Sequence, residues 1–204
     1  MKLCTLVENN TVHLSERETR ILLYFSRGYR SKEFDYELNV SLKTTENAKR
    51  SIISKLRINS IDQAIILAHY LKWFSNDTVD MCQGVPYRPD LQNAITLEYD
   101  RLSRGLTPSI EELSGRERTA LANAARGYDR RETASNMGIS PKTIDSHKAM
   151  VLRVLGVTRT TQAVIMGYNF GWWKNNHDYM KDAPNFHEQI TQFLNSSISR
   201  IDYP

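Results

Sequence analysis

The chain of 204 residues contains only two cysteines, Cys4 and Cys82. Two are too few for a disulfide framework and fit a reducing compartment. No apolar run approaches the roughly 18 residues that a membrane-spanning helix needs. The opening MKLCTLVENN lacks the apolar core and small-residue cleavage site of a secretory leader. No cluster of cysteine and histidine has zinc spacing; His177 and His187 flank Asp178 and Glu188, but not at a ligand's interval. There is no phosphate-cradling glycine loop and no evident pairing of nucleophile with base. Secreted disulfide scaffolds, membrane proteins and zinc proteins are therefore not expected, and neither is an enzyme. No cofactor is implied, and the expected location is the cytoplasm.

What the chain does have is itself, twice. The segment LSERETRILLYFSRGY, from Leu14 to Tyr29, returns as LSGRERTALANAARGY, from Leu113 to Tyr128. Without a gap the match continues through Ser41/Ser140, Lys43/Lys142, Thr44/Thr143, Lys49/Lys148, Gln63/Gln162, Ala64/Ala163 and Trp73/Trp172. About 18 of roughly 61 aligned positions are identical, well above chance for one fixed register. Apolar character also repeats further on: Tyr87, Leu91, Ile95, Tyr99 and Leu102 stand opposite Phe186, Ile190, Leu194, Ile198 and Ile201.

Each copy opens with a capping box, Ser15 with Glu18 and Ser114 with Glu117, in which hydroxyl and carboxylate satisfy first-turn amides reciprocally. Ile21, Leu22 and Phe25 follow at helical spacing, and Gly28 and Gly127 stand where a helix ends. A short second helix is predicted over about Ser31 to Leu38 and about Arg130 to Met137. In the second copy Gly138-Ile139-Ser140-Pro141 makes a turn and then a strong helix start. The third helix runs from there to about Leu56 and Leu155; a fourth covers about Ile61 to Leu71 and Thr161 to Phe170. Two short helices joined by a tight turn form a helix-turn-helix. The third helix has Ile144, Val151 and Leu155 for an inner face and Lys142, Thr143, Asp145, Ser146, Lys148 and Arg153 for an outer one. In the first copy Lys43, Thr44, Asn47, Lys49, Arg50 and Lys55 take the outer part. The basic excess of a chain with net charge +4 thus gathers where a helix would enter the major groove. Trp73, Trp172 and Trp173 are expected to close the cores.

The second copy resembles the LuxR/FixJ-type DNA-binding domain over about Leu113 to Phe170. The resemblance rests on L-S-x-R-E-R, R-G, G-I-S-P-K-T-I-x-S-H-K, L-G-V and T-Q-A-V. It implies a four-helix DNA-binding fold, places Lys142, Thr143, Ser146, His147 and Lys148 at or near DNA, and makes the fourth helix a frequent dimer contact. The first copy keeps L-S-E-R-E, R-G, S-x-K-T and Q-A, but has Thr45 for the usual aliphatic residue, Ala48 for the histidine and Arg57 for the glycine. An inward Thr45 hydroxyl would need a hydrogen-bond partner.

The expected architecture is all-α: two tandem four-helix helix-turn-helix units, each followed by an extra helix. The first unit covers 1–74. A connector covers 75–112, with a helix around 90–104. The second unit covers 113–174, and 175–204 form a helical tail that packs or dimerises. The expected function is sequence-specific transcription regulation through two recognition helices on double-stranded DNA, at the nucleoid, without a built-in sensory domain. The DNA-binding candidates are Lys142, Thr143, Ser146, His147 and Lys148, with Lys43, Thr44, Asn47, Lys49 and Arg50. Two arrangements are open: an intramolecular pseudo-dimer, or a homodimer built on the stripe Phe186, Ile190, Phe193, Leu194 and Ile198. The competing reading is a protein-interaction module that binds RNA polymerase or another regulator.

Overall fold

Each copy of the repeat starts its first helix on a serine. Ser15 Oγ accepts from the Glu18 amide at 3.3 Å, and Glu18 Oε2 accepts from the Ser15 amide at 2.6 Å. Ser114 and Glu117 do the same at 3.4 and 2.7 Å. Both boxes predicted from sequence are therefore formed, and they fix the starts of α1 (Glu16–Ser26) and α6 (Gly115–Ala125). The computed structural model describes residues 14–56, 58, 60–70, 73 and 85–172. The expected tail helix, with its apolar stripe, and Trp173, His177 and His187 lie outside the described residues.

The first unit continues with α2 (Ser31–Phe34), α3 (Leu42–Leu56) and α4 (Ile61–Tyr70). In the second, α5 (Pro89–Ser103) and a 3₁₀ turn (Ser109–Glu112) precede α6, followed by α7 (Arg130–Met137), α8 (Pro141–Val154) and α9 (Thr160–Asn169). No strand occurs among the described residues, so the all-α, tandem four-helix expectation holds. α1 packs on α3 and α4, and α6 on α8 and α9; α3 packs on α2, and α8 on α7.

The second helix is where the copies part. α7 spans the predicted residues because Asp129 caps it, accepting from the Arg131 and Glu132 amides at 2.6 and 2.8 Å. Arg30 stands in that place in the first unit and offers no side-chain acceptor; α2 starts at the matching residue but is a single turn that ends at Phe34 instead of reaching Leu38. Its anchor is packing. Phe34 is fully buried, 5.0 Å from Tyr24 and 5.2 Å from Phe25, ring centre to ring centre. Burying such a ring is worth about 2–3 kcal/mol, which offsets the missing cap. In the second unit the same three positions are Asn123, Ala124 and Thr133, and Asn123 Oδ1 accepts from Arg126 and Asn136 instead.

The fold of the second unit includes α5, which follows the first unit in sequence but lies in one compact unit with α6–α9. Leu91, Ala94, Ile95 and Glu98, at helical spacing, are its buried side. Asp90 accepts from Thr158 Oγ1 at 2.8 Å and from Gln162 Nε2 at 3.1 Å, tying the start of α5 to that of α9. Desolvation raises the Asp90 carboxyl, but these bonds outweigh it and hold the group below its usual range. Further along, Glu98 accepts from the Ser109 amide at 3.0 Å, and Tyr99 meets Phe170 edge-on at 4.8 Å.

The turn between the second and third helices needs one residue with positive φ. Gly138 supplies it at 64° in the second unit and Asn39 at 48° in the first. Asparagine is among the few side-chain-bearing residues that adopt this conformation readily. A Cβ at Gly138 would meet nothing within 4 Å, so only backbone strain opposes a substitution there. Gly138→Ala is expected to cost about 1 kcal/mol in urea unfolding, whereas Gly138→Asn should cost less than half of that. Equal costs would mean that strain at φ is not what the glycine relieves.

Candidate nucleic-acid interface

The third helix of each unit begins on a serine cap. Ser41 Oγ and Ser140 Oγ each accept from the amide three residues on, at 3.1 Å, and each also meets that threonine's hydroxyl, Thr44 at 2.9 Å and Thr143 at 2.8 Å. These hydroxyl contacts keep Thr44 and Thr143 in the first turn of their helices. Inward, Ile144, Val151 and Leu155 are buried, as their spacing predicts. Thr45 is fully buried in the place of Ile144, and its hydroxyl donates to Asp35 Oδ1 at 2.9 Å. The polar side chain that needed a partner has one on the chain just after α2, where the second unit has Ala134.

Acidic residues hold the third helix against the second. Glu46 accepts from Ser31 Oγ at 3.0 Å, and Asp145 pairs with Arg130 at 2.9 Å. In the first unit there is a further, part-buried tie: Glu18 Oε1 accepts from Ser51 Oγ and Oε2 from Lys55 Nζ, both at 2.6 Å. The capping glutamate of α1 thereby grips α3. Met150 and Val154 stand opposite Ser51 and Lys55 in the repeat, so Glu117 makes no such grip.

Outward, exposed residues recur at i, i+4, i+7 and i+11. In α3 they are Lys43, Asn47, Arg50 and Ser54; in α8 they are Lys142, Ser146, Ala149 and Arg153. Of the residues singled out from sequence, Lys43, Asn47, Arg50, Lys142 and Ser146 share these stripes. Lys49 and Lys148 are half-buried on the flank. Lys49 lies 3.6 Å from Glu46. Asp129 is held below the usual carboxylate range chiefly by the Glu132 amide, and the positive charge of Lys148 adds to this. His147 is half-buried, with Nε2 buried and, among the described residues, without a hydrogen-bond partner. Arg153, set on the outer face from sequence but not among the DNA-binding candidates, completes the stripe of α8.

The Glu18 carboxyl has an ordinary value of 4.5. Burial pushes it up, and the bonds from Lys55, Ser51 and Ser15 more than reverse this, to about 2. A depressed carboxyl contributes stability that is full above about 4.5 and lost as pH falls toward about 2. His69 adds a separate loss from about 6.5 downward, because desolvation lowers its ring to about 4. Lys55→Gln leaves His69 untouched and removes the leading favourable bond to Glu18. In an acid titration followed by circular dichroism, its first unit should unfold about one pH unit earlier than wild type. Coincident curves would show that the pair does not hold α3.

The model of the GerE family, bacterial regulatory proteins of the luxR family, matches residues 12–68 and again 111–167. No curated protein and no solved structure matches the chain.

Proposed function

The chain belongs to the luxR family of bacterial regulatory proteins, a family of helix-turn-helix DNA-binding transcription regulators, and we propose that it reads DNA with two unlike helices carried on one polypeptide. The observation that carries this reading is the pair of exposed stripes on α3 and α8. Both begin with a lysine in the first turn, where a groove-entering helix meets the duplex. Beyond that lysine they differ: Asn47, Arg50 and Ser54 in one, Ser146, Ala149 and Arg153 in the other.

The chemistry assigns roles. Lys43 and Lys142, exposed at the helix starts, suit phosphates or a guanine edge. Asn47 suits an adenine edge, and Arg50 a guanine, through paired hydrogen bonds. Ala149 leaves room for a thymine methyl. Thr44 and Thr143 remain at the helix starts beside the lysines. Lys49 and Lys148, on the flanks, face the sugar-phosphate walls rather than base edges.

Two such helices in one chain act as an intramolecular pseudo-dimer on half-sites about one helical turn apart. Because the stripes differ, the half-sites are unlike. A homodimer is unnecessary for two-site recognition under this reading.

Lys142→Ala with Lys148→Ala is expected to weaken binding by a similar factor on all duplexes. It should also lower the slope of log affinity against log salt by about 1 to 2. Fluorescence anisotropy over a salt series measures both. An unchanged slope would remove α8 from the interface and favour a protein-binding role for the second unit.

A further inference from the structure

One feature of the first unit is not used by the stripe on α3. An open cavity of about 590 Å³ lies between the start of α1 and the turn that leads into α3, lined by Ser15, Glu16, Arg17, Arg20, Leu38 and Val40. Arg17 and Arg20 are exposed and, among the described residues, neither guanidinium has a hydrogen-bond or ion-pair partner. Val40 on the far wall is followed directly by Ser41, the cap of α3, and by Lys43 at the start of the exposed stripe. The cavity therefore borders the end of α3 that enters the groove. A helix lying in a major groove has a sugar-phosphate strand on either side. Two arginines lining such a cavity suit a phosphate oxygen, which a guanidinium binds through two parallel N–H donors.

We propose that Arg17 and Arg20 clamp the DNA backbone beside α3, so that the first unit anchors to phosphates outside its recognition helix. The cavity opens to solvent, which suits a strand passing across it rather than an enclosed small molecule. Leu38 and Val40 give the wall an apolar surface against which a deoxyribose can rest. Glu16, on the same rim, opposes the phosphate and weakens the clamp. The second unit does not repeat the device. Arg116 matches Arg17, but Thr119 replaces Arg20, and its hydroxyl is bonded to the Gly115 carbonyl at 2.9 Å. The two units thus divide the work, the first holding backbone more strongly than the second.

This inference rests on the reading that α3 lies in the groove, and the test separates the two. The full-length protein is titrated with a fixed duplex at several salt concentrations, as wild type, Arg17→Gln/Arg20→Gln, and Lys43→Gln/Arg50→Gln. Both arginines are exposed and, among the described residues, without a partner, so the melting temperature should not move and serves as the folding control. Loss of two phosphate contacts lowers the salt slope by about 1.8. The clamp variant should then lose about tenfold less affinity than wild type between 50 and 200 mM salt. Glu16→Gln should bind more tightly than wild type. A wild-type slope for Arg17→Gln/Arg20→Gln, with a lowered slope for Lys43→Gln/Arg50→Gln, overturns the clamp and leaves the α3 reading intact. Wild-type slopes for both overturn the α3 reading and the clamp with it.

Discussion

In each unit the chain enters the third helix through one residue with positive φ, Asn39 at 48° and Gly138 at 64°. A right-handed residue there would carry the second helix onward rather than turn it. In the second unit Gly138 is also the C-cap of α7; in both units the left-handed residue stands two residues before the serine that caps the third helix. It also allows the side chains of the second and third helices to meet: Ser31 with Glu46 and Thr45 with Asp35 in one unit, Arg130 with Asp145 in the other. Where the exposed stripe points follows from that turn and from those ties.

The contacts around the second helix are kept while their chemistry changes. Tyr24 donates to Glu37 at 2.7 Å, and at the matching positions Asn136 donates to Asn123 at 3.1 Å. Ser31 with Glu46 becomes Arg130 with Asp145. Burying Thr45 without a partner would cost on the order of 1–3 kcal/mol; Asp35 supplies the acceptor, so the unit keeps its geometry. An aromatic cluster in one unit and a buried asparagine in the other fill the same place under the same helix. Few aligned residues are identical because the frame constrains pairs of side chains more than single ones.

Local rules made most of the fold legible in the sequence. The capping boxes, the Gly138-to-Pro141 turn and the spacing of Ile144, Val151 and Leu155 each depend on residues close in sequence. The exposed candidates Lys43, Asn47, Arg50, Lys142 and Ser146 followed from that same spacing. What could not be read depends on distant partners. The Glu18 grip on Lys55 joins two helices, and sequence showed only its capping half. α2 stops at Phe34, where the spacing pattern runs on to Leu38. The placement of α5 with the second unit rests on Asp90 meeting Thr158 and Gln162, some seventy residues away.

If one chain carries two DNA-reading helices of different specificity, selection of bound duplexes from a random library by the full-length protein should enrich a site made of two unlike half-sites about ten base pairs apart. A single half-site or a perfect palindrome would contradict it, because one reading helix per chain would then suffice.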